Sequence, residues 1–322
     1  MSSEKKYVYG PVPSRRLGRS LGVDIVPEKV CTLNCIYCQL GRTTQKTIER
    51  REYAPVETII AEIKEILSRS VEADYITIAG SGEPTLNSKL GEIIEKIKNI
   101  SNIPVAVVTN GTLLYRADVR DECARADVVM PSLDAGDEST FEKINRPYPD
   151  ISIEKLISGL CTFRDEYSGQ IWLEVFLIKG INDNDEQIRK ISTIIKRIRP
   201  DKVQLNTAVR PTIEKNLAKM SFQELENIAA RLGQNCEVIA DIPSGDEIRD
   251  KASGVSTQYF EDQKHIETLF SMLKRRPCSL NDICSSMNLH QNQALKYISD
   301  LQQRGLIESE ESDGIIFFKA LP

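Results

Sequence analysis

Cys31, Cys35 and Cys38 lie in EKVCTLNCIYCQLGR (residues 28–42) with the spacing C-x-x-x-C-x-x-C, and the next cysteine is Cys123. Three thiolates on one short loop can hold three corners of an iron–sulfur cube, whereas a 4Fe–4S cluster normally takes four cysteines. One iron would keep an open coordination position. A catalytic centre can use that position; a pure electron carrier cannot. Structural zinc asks for a fourth Cys or His, and the two histidines, His265 and His290, are both far downstream. Ahead of His265 no Ser-His-Asp triad, Cys-His pair or His-ligated metal can be built. On the residues alone, a zinc site, a ferredoxin-like carrier and three unrelated buried thiols stay open as alternatives.

Other polar residues recur at regular places. Gly80, Gly82 and Glu83 fall in AGSGEPTL, where glycine lets backbone approach a ligand and Glu83 brings a negative charge. Thr109 and Asn110, then Ser132 and Asp134, are short polar side chains suited to ribose or carboxylate oxygens, or equally to turns and caps. Arg15 and Arg16 precede an apolar run, and Arg146 and Arg210 follow others. Guanidinium forks suit phosphate or carboxylate, so these four are candidates for an anionic substrate.

The elements that must carry these residues alternate. Apolar strand-like runs cover 20–27, 75–80, 105–111, 128–134, 171–180 and 202–208. Amphipathic helical segments follow at 56–70, 88–100, 116–126, 152–167, 184–199 and 221–233. Residues 236–240 add a possible seventh strand. Continuous Val/Ile runs mean strands covered on both faces, as in a parallel sheet. The fold class expected is α/β, a doubly wound sheet or a barrel, with functional residues at the C-terminal strand ends. The cysteine loop, the AGSGEPTL stretch, and the Thr109-Asn110 and Ser132-Asp134 stretches all sit at such ends. Residues 241–262 read as a polar linker. Beyond it, helices at 265–276, 279–289 and 290–305 and a hairpin over 306–320, turning at Ser312-Asp313-Gly314, outline a small winged helix-turn-helix domain.

A net charge of −5 argues against a protein coated for bulk nucleic-acid binding. No apolar run approaches the roughly 18 to 20 residues of a membrane span, and the start MSSEKKYVYG has no apolar signal core. The expectation is a soluble, cytoplasmic protein whose cysteines are thiols or metal ligands.

The cysteine loop, with Tyr37 before its last cysteine and a (βα)6 pattern around it, resembles that of the radical S-adenosylmethionine (radical SAM) superfamily. The resemblance implies a partial (βα)6 TIM-type barrel over residues 1–240, with the winged-helix-like domain at 263–322. It implies one 4Fe–4S cluster on Cys31, Cys35 and Cys38. The methionine amino and carboxylate groups of S-adenosylmethionine would fill the open iron, and reductive cleavage would give a 5′-deoxyadenosyl radical that abstracts a substrate hydrogen. Gly80, Gly82 and Glu83 resemble the family's Gly-Gly-Glu motif, which receives the methionine amino group, with Ser81 as a departure. Thr109, Asn110, Ser132 and Asp134 match polar strand ends that contact the cofactor, and Ile178 falls in the segment that packs on the adenine. An electron donor such as ferredoxin or flavodoxin is implied as a partner.

Segments such as GSGEPTL and QLNTAVRP resemble the compact branch related to wyosine-forming tRNA enzymes, which makes tRNA a candidate substrate. Those enzymes hold a second cluster on upstream cysteines, and none occurs before Cys31. Cys123, Cys161 and Cys236, and likewise Cys278 and Cys284, read as buried small hydrophobes. From Asp262 onward seven Lys/Arg stand against eight Asp/Glu, little for a phosphate reader. Nucleic-acid contact, protein contact or a lid role all stay open for this domain. The alternatives to a small-molecule or tRNA enzyme are an activase that makes a radical on a partner protein, and an iron–sulfur transcriptional sensor.

Overall fold

Short Val/Ile runs with no polar face need cover on both sides, and the chain supplies it with helices. The structure, a computed structural model, describes residues 7–14, 16–69, 71–208, 212, 214, 217–233, 235–240, 258–289, 291–312 and 315–321, leaving out the side chains of 12, 13, 258–264 and 291–293. The first strands are β1 (Val8–Ser14) and β2 (Gly18–Val23), followed by the two-residue strands β3 (Val30–Cys31) and β4 (Gln45–Lys46). Then come α1 (Val56–Leu67), β5 (Tyr75–Ile78), α2 (Leu90–Ile100), β6 (Val105–Val108), α3 (Ala117–Cys123) and β7 (Val128–Met130). Two helices follow β7, α4 (Glu138–Asn145) and α5 (Ile153–Glu166). The barrel ends with β8 (Gln170–Leu177), α6 (Asp185–Ile198), β9 (Lys202–Thr207), α7 (Phe222–Leu232) and β10 (Cys236–Val238).

These strands make one eight-stranded sheet in the order β1-β2-β5-β6-β7-β8-β9-β10. β1 pairs with β2 antiparallel, and every later pair is parallel. The expected alternation is therefore present, with β10 as the seventh parallel strand. β1 was not expected, because prolines argue against a strand; it is tolerated here at the sheet's edge. The helix α4 was not expected either. Its apolar stripe is only Phe141 and Ile144, too brief to show a period.

The helices are locally well specified. On α6, Ile188, Ile191, Ile194, Ile195 and Ile198 recur at helical spacing and are all buried, and Asn184 caps its start by accepting from the Gln187 N–H. Each such buried isoleucine contributes about 1.5–3 kcal/mol through the area it removes from water. Ser221 and Glu224 form a reciprocal capping box on α7. One continuous core, from Val8 to Leu232, joins the sheet to these helices.

A second core belongs to the C-terminal module. It contains α8 (Gln258–Leu273), β11 (Cys278–Ser279), α9 (Leu280–Met287), α10 (Gln291–Gln303), β12 (Ile307–Ser312) and β13 (Ile315–Ala320). Its three strands are antiparallel in the order β11-β13-β12. α8 begins at Gln258, inside the stretch expected to be linker; residues 241–257 and the turn residues 313 and 314 lie outside the described residues. Among the described residues no helix is long and apolar enough to cross a membrane.

Candidate active site

The cysteine loop leaves the short strand β3 and returns as β4, which pairs with it in parallel. The loop is clamped from several sides. The Asn34 and Ile36 N–H groups donate to the carbonyls of Asn145 and Ile144 at the end of α4, at 3.0 and 2.9 Å. The Lys29 N–H donates to the Ser81 carbonyl at 2.7 Å, and the Glu83 N–H to the Val30 carbonyl at 3.0 Å. Gly82 makes this closure possible, because a Cβ there would stand 2.0 Å from the Val30 carbonyl oxygen.

Two polar networks follow, one on each side of the loop. In the first, Glu83 is buried and its carboxylate accepts from the Thr85 N–H and hydroxyl, the Thr109 hydroxyl and the Asn110 N–H, at 3.1, 2.6, 2.5 and 2.7 Å. Burial raises its pKa, and the Thr109, Thr85 and Asn110 bonds oppose the rise. The Asn110 amide donates to the Thr32 hydroxyl at 2.8 Å and to Cys31 Sγ at 3.6 Å.

In the second network, Asp134 Oδ2 accepts from the Tyr37 hydroxyl at 2.5 Å and from Asn145 Nδ2 at 2.8 Å, and its Oδ1 accepts from the Phe176 N–H at 3.0 Å. Burial pushes the Asp134 carboxyl up to about 6, although these donors pull it down. Asn145 Nδ2 also donates to Cys35 Sγ at 3.4 Å. The Tyr37 ring stacks on Phe176, centroids 3.9 Å apart. Asn182 ties in the next loop, donating to the Asp134 and Phe176 carbonyls and accepting from the Ile178 N–H.

The three thiols are unpaired in disulfides. Each meets an N–H donor: Asn110 at Cys31, Asn145 at Cys35 and Lys29 Nζ at Cys38, the last at 3.2 Å. Burial and then the Glu83 carboxylate push Cys31 up to about 12, and burial and then Asp134 push Cys35 well above the usual thiol range. A metal held there would supply the charge that removes those protons. Among the described residues no three His, Cys, Asp or Glu side chains are arranged to hold a single metal ion. Donor type and N–H support thus fit an iron–sulfur cluster.

A cleft of about 380 Å³ opens beside these sulfurs. Of the expected residues, Cys35, Cys38, Tyr37, Gly80 and Arg16 line it. Glu83, Thr109, Asn110 and Asp134 stand behind that lining and hold it through the two networks. Ser132 lies in an isolated bridge to Glu174, and Ile178 is buried in the apolar cluster with Phe176. Arg16 Nη1 pairs with Glu174 Oε2 at 2.7 Å, and Glu174 Oε1 accepts from Asn206 at 2.9 Å. Arg146 is not brought to the cleft: it caps α4 in the left-handed conformation and pairs with Glu214 at 2.9 Å. Arg15 and Arg210 lie outside the described residues. Asn145, Phe176, Glu174, Arg275 and Arg276 also face this site, though no short motif marks them in the sequence.

Residues 25–191 match the family described as the radical SAM superfamily. The chain belongs to the radical SAM superfamily and is an enzyme of that type, a class that implies a 4Fe–4S cluster and S-adenosylmethionine. Within it, the chain is 32% identical to the UPF0026 protein MJ1312 of Methanocaldococcus jannaschii, over 96% of this chain and 94% of that one. It is also 40% identical to a Brachyspira hyodysenteriae protein named GTPase Obg, over 97% of this chain but only 45% of that relative's length. A radical SAM methyltransferase from Sphaerobacter thermophilus shares the fold, with a TM-score of 0.50 and 19% identity over 69% of this chain and 66% of that one.

Proposed function

We propose that Cys31, Cys35 and Cys38 hold a 4Fe–4S cluster through three protein ligands, and that S-adenosylmethionine completes the fourth iron. When bound, the pair would supply a 5′-deoxyadenosyl radical for hydrogen abstraction from an anionic substrate, with electrons from a donor such as ferredoxin or flavodoxin. The observation that carries this reading is the set of N–H donors from Asn110, Asn145 and Lys29, one at each sulfur. Hydrogen bonds to cluster sulfurs stabilise the charge that ligation leaves on them.

The chain's own residues do the rest. Glu83 and Asp134 organise the strand-end loops behind the cluster loop, and Tyr37, stacked on Phe176, walls the cleft. Glu83 Oε2 accepts one bond in the described network and keeps a lone pair for an ammonium group. The test is anaerobic reconstitution and reduction, then addition of S-adenosylmethionine and assay of 5′-deoxyadenosine, with Cys35→Ala alongside. Wild type should form the product and Cys35→Ala should not. A wild-type protein that carries a cluster yet forms none overturns the reading.

A further inference from the structure

The C-terminal module reaches the cleft beside the cysteines. Arg275 and Arg276, just past the end of α8, line the same space as Cys35, Cys38 and Tyr37. Their two guanidiniums have different surroundings. Arg275 lies over the Tyr9 ring at 3.5 Å and donates from Nη1 to Asp24 Oδ2 at 2.8 Å. Tyr9 lies in turn on the bare backbone of Gly22, where a Cβ would come within 2.1 Å of the ring. Asp24 also accepts from the Ser81 N–H at 3.2 Å and the Ser81 hydroxyl at 2.6 Å. Arg275 is therefore a docking residue whose charge is met by Asp24. Ser81, the departure from a plain Gly-Gly, holds the carboxylate that receives it.

Arg16 has its charge met by Glu174. Among the described residues Arg276 has no such partner. It is half-buried; its N–H donates to the Met272 carbonyl, and its own carbonyl accepts from the Cys278 thiol. Among the described residues no carboxylate pairs with its guanidinium. Among the described residues three arginines line the cleft, of which Arg275 and Arg16 are neutralised and Arg276 is not. A half-buried guanidinium with free N–H donors is matched by a planar or tetrahedral oxyanion, which it can bind through two parallel bonds.

We infer that Arg276 binds a phosphate or carboxylate group of the substrate, so that the C-terminal module completes the active site. This rests on the proposal that the cleft beside the cysteines receives the substrate. The test uses the full-length, anaerobically reconstituted protein. Inorganic pyrophosphate and, separately, succinate are titrated calorimetrically at low ionic strength into wild type, Arg276→Ala, Arg276→Lys and Lys274→Ala. Lys274 is the control: it sits two residues away, exposed, over the Phe270 ring at 4.4 Å.

Wild type should bind at least one of the anions, and the tighter one names the substrate's charged group. Arg276→Ala should weaken that binding about tenfold or more, the loss of one charge-assisted pair. Arg276→Lys should fall between, and Lys274→Ala should match wild type. Failure of wild type to bind either anion overturns the inference. So does Arg276→Ala binding like wild type, or Lys274→Ala losing as much as Arg276→Ala. The 5′-deoxyadenosine assay on wild type reports the proposed function independently, so failure of one reading is not mistaken for failure of the other.

Discussion

At the scale of single residues, Asn145 joins the cysteine loop to the polar wall. Its Nδ2 faces two acceptors, Cys35 Sγ and Asp134 Oδ2, so the amide orientation is fixed by chemistry. Replacing it by alanine removes an N–H from Cys35 Sγ, one of the three sulfurs proposed to hold the cluster. Potentials of such clusters fall as hydrogen bonds to sulfur are lost. Asn145→Ala should therefore lower the reduction potential by some tens of millivolts, on the order expected for one outer hydrogen bond, and slow 5′-deoxyadenosine formation. An electrochemical titration followed by electron paramagnetic resonance checks this; a potential equal to wild type would remove Asn145 from the site. The grouping of the three cysteines was legible in the sequence, because they share one short loop at close spacing. Asn145 was not, because it lies 110 residues from Cys35 and only folding brings them together.

At the scale of elements, the fit between the loop after β5 and the cysteine loop is made of backbone. Gly82 packs against the Val30 carbonyl with no room for a Cβ, and Glu83 then donates its N–H to that same oxygen. Gly82→Ala must push the two loops apart while leaving the helices and the rest of the sheet unaffected. The expected outcome is a folded protein, by circular dichroism, that takes up less than about half the wild-type iron, since overpacking typically costs 1–3 kcal/mol and displaces backbone. Full iron loading would show that the loops tolerate the displacement. The parallel strands were legible because their Val/Ile runs are buried on both faces. β1 was not, because its prolines are permitted only by its edge position, and α4 was not, because two apolar residues set no period. Gly82, expected to let a ligand approach, also admits the protein's own backbone.

At the scale of the whole molecule, two hydrophobic cores meet across a mostly buried ion pair. α8 and α9 both lie against β1, an edge strand that among the described residues pairs only with β2. At that seam the Arg275 and Asp24 side chains are only 19% and 13% exposed. Removing one partner of such a pair leaves the other charge poorly solvated and costs about 3–5 kcal/mol when burial is complete. Asp24 keeps its Ser81 bonds and Arg275 its Tyr9 ring, so the single variants Asp24→Ala and Arg275→Met should each cost less, about 2–3 kcal/mol. The double variant should fall short of the sum by at least about 1 kcal/mol, the signature of groups that act through each other. Hydrogen exchange localises the effect better than global unfolding, because two cores need not melt together. Faster exchange is expected in β1 and α8 of either single variant, with little further gain in the double. If β1 and α8 exchange at the wild-type rate in both single variants, the module is held by apolar contacts alone, and Arg275 does not carry the docking that brings Arg276 to the cleft.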